Sequence, residues 1–144
     1  MEDIVDFSLK ITSKESGEIK IGEKYVKAAN YLYDTVGKEV LDKSSDIMVS
    51  LNIQGELNKG SKSQTKELAK WSLMTKGVDV YRNITIIIED NDAIIREYNL
   101  NEAFVVDYFE TTKVKPDGTI TDKMIWELIV AQKGDNLEGV KVKD

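Results

Sequence analysis

Apolar and polar side chains alternate with a period of two along most of this chain. Val5, Phe7, Leu9 and Ile11 alternate with Asp6, Ser8 and Lys10, and Ile47, Val49, Leu51 and Ile53 alternate with Met48, Ser50, Asn52 and Gln54. The same period carries Ile84, Ile86 and Ile88, then Ile94, Arg96, Tyr98 and Leu100, then Phe104, Val106 and Tyr108, and finally Met124, Trp126, Leu128 and Val130. Successive strand side chains point to opposite faces, so this period predicts strands with one face against a core. β-Branched and aromatic residues dominate the runs, as a pleated surface favours. Asp90-Asn91-Asp92, Asn99-Leu100-Asn101-Glu102 and Pro116-Asp117-Gly118 read as turns between them. Asx side chains tolerate the left-handed region, proline presets φ and glycine supplies a positive φ. From residue 78 onward the pattern predicts a meander of four long strands.

One stretch has a different period. Leu68, Trp71 and Leu73, with Ala69 and Met74, form an apolar stripe about three turns long. Ser61 and Gln64 have capping-box spacing, and Gly77 stands where a helix would stop. A helix is therefore expected over 62–76. Lys62, Lys66, Lys70 and Lys76 share it with Glu67 alone, as a solvated helix face would. Residues 23–45 support two readings. Tyr25, Ala28, Ala29 and Leu32 have helical spacing, while Tyr31 and Tyr33 also suit a strand.

Several strands are apolar on both faces: Ile87 lies opposite Ile86 and Ile88, Val105 and Phe109 opposite the Phe104 run, Ile125 and Ile129 opposite Trp126. A monomeric sandwich wets one face of each sheet, so two-sided strands call for a second cover. The helix can cover part of one face. A second sheet or another subunit would cover the rest, and the apolar Tyr31–Leu41 segment, a candidate to pack on a neighbour, points to an oligomer.

Composition narrows the chemistry. The 144 residues suit one domain. The chain has no His and no Cys. That excludes a serine triad, a cysteine nucleophile, a thiolate or imidazole zinc site and an axial His for haem. The formal net charge of −6 argues against nucleic-acid binding without sequence preference, which requires a basic face to displace counterions. Residues 1–72 carry 11 basic and 12 acidic side chains, residues 73–144 carry 9 and 14, so the excess of acids lies in the second half. Glu89, Asp90 and Asp92 form the densest acid cluster but lack the glycine and glutamate spacing of an EF-hand, and read as a solvated turn. Asp107 and Glu110 are an odd number of positions apart on one strand, so they face opposite ways and do not form a glycosidase pair. Gly55 and Gly60 bracket a loop before Ser61-Lys62, one residue out of register for a phosphate loop. Trp71 and Trp126 read as core. Acids near the N-terminus, where a signal peptide would be basic, and no run of ~18 apolar residues predict neither a signal peptide nor a membrane span. No catalytic residue, metal ligand or cofactor is expected.

The order of elements resembles the tube proteins of contractile phage tails and the haemolysin-coregulated protein (Hcp) of type VI secretion. The likeness lies in Ser50-Leu-Asn-Ile-Gln-Gly55, a polar loop, a helix with Leu68-Ala-Lys-Trp71, Val80-Tyr-Arg-Asn-Ile-Thr-Ile86, an acidic turn, and Arg96-Glu-Tyr-Asn-Leu100. Asn101-Glu-Ala-Phe-Val-Val-Asp-Tyr108, a variable hairpin and Trp126-Glu-Leu-Ile-Val-Ala-Gln-Lys133 complete it. It covers residues 46–133 well and 1–45 more loosely. The resemblance implies a mainly β (α+β) chain: an antiparallel two-sheet β-barrel flanked by one α-helix, in a single domain over 1–144. It also implies six copies to a ring, rings stacked into a hollow tube, and residues 25–46 as an extended inter-subunit arm. Tyr31, Leu32, Tyr33, Val36, Val40 and Leu41 are then the expected subunit interface, and Ser50, Asn52 and Gln54 the expected lumen-facing residues. Expected partners are further copies of the chain and sheath and baseplate proteins, with no sequence-specific nucleic acid and no membrane. Such a subunit would assemble in the bacterial cytoplasm and end in the tube of a virion or a phage-tail-like particle. The competing reading is a monomeric or dimeric β-barrel that binds a small ligand or peptide.

Overall fold

The computed structural model describes residues 5–35, 47–114, 117–118, 120–134 and 136–144. Its strands are β1 (Val5–Thr12), β2 (Glu18–Ile21), β3 (Val26–Thr35), β4 (Ile47–Leu57), β5 (Arg82–Asp90), β6 (Ala93–Val114), β7 (Ile120–Gln132) and β8 (Val140–Lys143), with one helix, α1 (Lys62–Ser72). All form one antiparallel sheet in the order β2-β1-β5-β6-β7-β4-β3, and β8 pairs with β6. Residues 26–35, ambiguous in sequence, are a strand because all but Lys27, which sits at a bulge, find a partner on β4, from Val26 opposite Gly55 to Thr35 opposite Ile47. Among the described residues no ladder joins β3 back to β1 or β2. The barrel is therefore one curled sheet, open at that seam, rather than two separate sheets.

The curl depends on β6. Its first half pairs with β5, from Ala93 opposite Asp90 to Ala103 opposite Arg82, and its second half pairs with β7, from Ala103 opposite Gln132 onward. Between them the β5 register slips, with Arg82 opposite Ala103 but Ile84 opposite Leu100. Such a bulge bends its strand and increases the twist. The turn expected at Asn99–Glu102 is instead this bend inside one 22-residue strand. Its asparagines bond sideways: Asn99 donates to Asn83 Oδ1 (2.9 Å) and Thr85 Oγ1 (2.7 Å), and Asn101 Oδ1 accepts from Gln132 Nε2 (2.8 Å). The expected four-strand meander thus becomes β5, β6 and β7, with β8 continuing the line of β7 along the same edge of β6.

The other turns follow their chemistry. Asn91 (φ 50°) and Asp92 (φ 70°) form the two-residue link between β5 and β6, both left-handed as a twisted hairpin requires. Gly118 has φ 89° in the β6–β7 hairpin, while Pro116 lies outside the described residues.

Between the layers sits one apolar cluster: Leu9 and Ile11 of β1, Leu51 and Ile53 of β4, Ile84 and Ile86 of β5, Leu100 of β6, and Trp126, Leu128 and Val130 of β7. α1 closes it with buried Leu68 and Trp71. The helix ends at Ser72, a turn short of the expected 62–76. The Trp71 indole donates to Val80 O at 2.9 Å, which holds the returning chain against the core. Ser61 does not cap the helix through its side chain. Its hydroxyl donates to Glu56 O (2.7 Å) and accepts from Asn58 N (3.1 Å), tightening the β4–α1 turn.

Asp79 ties the β1–β2 hairpin to the far side of the core. Its buried carboxylate accepts the backbone N–H groups of Lys14 and Glu15, each at 3.0 Å, and the Ser16 hydroxyl. The Ser16 bond, then the two backbone donors and Arg82, outweigh burial and hold this carboxyl below the ordinary aspartate range.

Candidate self-assembly surfaces

Each strand's alternation assigns its side chains to the core or to the outside. In the layer of β3, β4, β7 and the second half of β6, Leu51, Ile53, Leu128 and Val130 turn inward and are buried. Pairing then puts Leu32 opposite Ser50, Asn52 opposite Ile129, Gln54 opposite Glu127 and Phe109 opposite Glu127 on the outer face. Ile125 and Ile129 are half-buried there, while Leu32 is 55% and Phe109 44% exposed. Val106, the extra residue of a bulge between Val105 and Asp107, is exposed beside them. This outer face is thus apolar in patches, a composition that marks interaction surfaces. The opposite layer carries more charge: Lys10, Glu18 and Lys20 form ion pairs on its outside and Lys143 pairs with Glu97, while Ile94 and Ile95 stand exposed at its hairpin end.

The expected interface residues divide. Tyr31 points inward, its ring stacked on that of Tyr98 of β6 at 4.6 Å and 6°. Burial, then proximity to Tyr98 and Tyr33, raises its hydroxyl pKa. Leu32 and Tyr33 (45% exposed) lie on β3, which is the last strand in the sheet order. An edge strand presents backbone donors and acceptors that another chain can pair with. Val36, Val40 and Leu41 lie outside the described residues. Of the expected lumen residues, Ser50 is buried at 7% exposure, while Asn52 and Gln54 are half-buried. Gln54 Nε2 donates to Glu127 Oε1, and Asn52 Oδ1 is a buried acceptor with no donor.

Sequence reading missed two devices that shape these surfaces. One is Tyr25: its carbonyl accepts Glu56 N at 2.9 Å, and both Gly55 and Gly60 lie so close to it that a Cβ on either would collide. The two glycines that frame the phosphate-loop look-alike therefore serve close packing. The other is the knot where β7 passes into β8. Gln132 Nε2 donates to Asn101 Oδ1 (2.8 Å) and Asn136 O (2.7 Å), and Asn136 Nδ2 donates to Glu102 Oε1 (2.8 Å). A Cβ at Gly139 would stand 1.8 Å from Asn101 Oδ1. Only side-chain pairing across 30 or more residues reveals it.

Among the described residues the candidate acid–base groups are held apart or tied up. Tyr108 donates to Glu110 Oε2 at 2.6 Å, and burial followed by that carboxylate pushes its pKa well above the ordinary phenol value. It is thus a poor base or nucleophile. Asp107 lies on the outer face, while Glu110 pairs opposite core Trp126, as their odd spacing requires. Among the described residues there is no cluster of metal-ligating side chains and no helix long and apolar enough to cross a membrane.

No family model matches the sequence, and no curated protein is similar to it. The fold, however, has clear counterparts among solved structures. Hcp1 from Flavobacterium johnsoniae is similar with a TM-score of 0.54 and 14% identity, over 88% of this chain and 89% of that one. A chain of the sheath/tube terminator of the extracellular contractile injection system PVC is similar with a TM-score of 0.53 and 16% identity, over 96% and 94%. A chain of the PVC sheath-tube complex has a TM-score of 0.53 and 14% identity, over 94% and 87%. The chain therefore has the Hcp-like tube fold.

Proposed function

We propose that this chain is a structural, ring-forming subunit of the tube of a contractile phage tail or a related injection or bacteriocin particle. Six copies would close a ring, rings would stack into a hollow conduit, and sheath and baseplate proteins would be its outer partners. The observation that carries this reading is the β3 edge, unpaired among the described residues, beside a partly apolar outer face, on a fold whose counterparts come from tube assemblies. A neighbour on that edge would extend the sheet and cover Leu32 and Tyr33. Residues 25–46 would then begin as the edge strand and continue as the inter-subunit arm. The row of Ser50, Asn52 and Gln54 lies one strand in from that edge, and we assign it to the lumen. A conduit wall works by shape and by not gripping its cargo, which suits a chain without His or Cys.

Light scattering and negative-stain imaging of the full chain test the reading. The expected result is rings or tubes, lost in Leu32→Asp and Tyr33→Asp, whose side chains are exposed enough that the barrel stays folded. A strictly monomeric protein at high concentration refutes it and favours the ligand-binding barrel.

A further inference from the structure

The two ends of β6 carry complementary surfaces. At its start, the β5–β6 hairpin carries half-buried Glu89 and exposed Asp92, neither of them ion-paired within the described chain, with one Asp90 carboxylate oxygen buried beside them and Ile94 half-exposed behind the turn. At its far end, Thr112 lies opposite Met124, which lies opposite Leu57. There a cleft of about 570 Å³ opens between the β4–α1 turn and β7. Leu57 and Met124 form its apolar part, and Lys59, Lys62 and Lys123 supply its cations. Lys123 bridges Glu56 at 3.6 Å, while Lys59 and Lys62 make no ion pair within the described chain. Ala93 and Thr112 lie near opposite ends of the 22-residue β6, so the two sites are carried at the two ends of one strand. The charge is segregated in sequence as well. Residues 59–76 hold five lysines and one glutamate, a net +4, which leaves −10 on the rest of a chain whose total is −6.

We infer that the acidic β5–β6 hairpin of one copy docks into the lysine-lined cleft of a second copy, head to tail. Glu89 and Asp92 meet Lys59 and Lys62, and Ile94 covers the Leu57–Met124 floor. The contact joins two different patches, so it is heterologous, and placed between rings rather than within one it repeats as an open stack. It supplies the direction in which rings add, and in that sense rests on the tube reading proposed above. Exposed charges are screened as salt shortens the Debye length from ~10 Å at 0.1 M to ~3 Å at 1 M. Stacking by this contact therefore weakens with ionic strength.

The chain's lack of cysteine makes the test direct. Ala93→Cys marks the hairpin and Met124→Cys marks the cleft, both at exposed positions that leave every charge in place. Under mild oxidation a mixture of the two single variants should give a disulfide-linked pair, and a chain carrying both substitutions should give a ladder of three or more on a non-reducing gel. Lys59→Glu with Lys62→Glu on the Met124→Cys chain should cut the cross-linked fraction about tenfold. Glu89→Lys with Asp92→Lys on the Ala93→Cys chain should restore it. Homodimers of either single variant in excess of the mixed pair, or a yield indifferent to charge reversal, overturn the inference. Rings seen by imaging without the mixed disulfide overturn it while leaving the tube reading intact. A protein with neither rings nor cross-links overturns both.

Discussion

Replacing each tryptophan in turn by phenylalanine separates two roles that the same residue plays in one core. Trp71 is 1% exposed and Trp126 0%, so trimming the second ring removes similar buried surface from both. Full truncation of such a residue to alanine costs ~3–5 kcal/mol, and losing only the second ring costs a fraction of that, ~1–2 kcal/mol, at either site. The polar accounts have opposite signs. Trp71 donates to Val80 O at 2.9 Å. Its loss removes a hydrogen bond and strips a carbonyl of that donor, adding ~1–2 kcal/mol. The guanidinium of Arg82 also stands 5.1 Å from the ring, and a phenyl holds it less well. Trp126 Nε1 is buried with no acceptor. Phenylalanine relieves that desolvation, returning ~1–2 kcal/mol.

The expected outcome is a loss of ~2–4 kcal/mol for Trp71→Phe and near neutrality for Trp126→Phe. At ~2–4 °C per kcal/mol for a chain of this size, a gap of about 3 kcal/mol separates the melting temperatures by roughly 6–12 °C. Thermal and urea unfolding followed by far-UV circular dichroism measure it, at one fixed low protein concentration so that self-association contributes equally. Equal losses within about 0.5 kcal/mol, or a larger loss for Trp126→Phe, would refute the reasoning, because transfer and cavity terms alone would then govern both sites.

Three further outcomes follow from the same geometry. Asp79 has a folded pKa below its unfolded value, so its contribution is complete above the ordinary carboxylate range near pH 4 and is lost as pH falls through the lower folded value. Melting curves from pH 7 to pH 2.5 should show that acid-limb loss in the natural chain and a flatter limb in Asp79→Asn; parallel limbs would contradict the assignment. Gly139→Ala drives a Cβ into Asn101, and overpacking of this kind costs ~1–3 kcal/mol. Hydrogen exchange should quicken at 140–143 before it does in β7, and uniform protection would show that the knot does not hold β8. Gly55→Ala places a Cβ 1.9 Å from the Tyr25 carbonyl and 2.6 Å from the Trp126 ring, and the rigid backbone partner puts its cost at about 3 kcal/mol. A urea midpoint unchanged from the natural chain would mean that β3 and β4 separate without cost.

The parts legible in the sequence were those decided by local chemistry. Period two located β1, β4, β5 and β7, Asx residues located the β5–β6 turn, and the apolar stripe located α1, because each signal acts within a few residues. Partners distant in sequence decide the rest. Residues 26–35 carry helical and strand spacing together, and the β4 ladder resolves them, with Tyr31 finding its ring partner on β6. The Asn99–Glu102 segment has the composition of a turn, yet Asn83, Thr85 and Gln132 draw its side chains aside and leave one strand bent between layers. Ser50 reads as a solvent-facing polar position by alternation alone, yet it lies buried. The surfaces follow the same division. Alternation found outward apolar residues such as Ile125, Ile129 and Phe109, which a lone barrel has no reason to keep. The opposed charges at the two ends of β6 became visible only when the strand proved continuous. Because β6 is one strand, the acidic hairpin and the lysine cleft stand at its two ends, and the contact inferred between them turns a charge imbalance along the sequence into a direction for assembly.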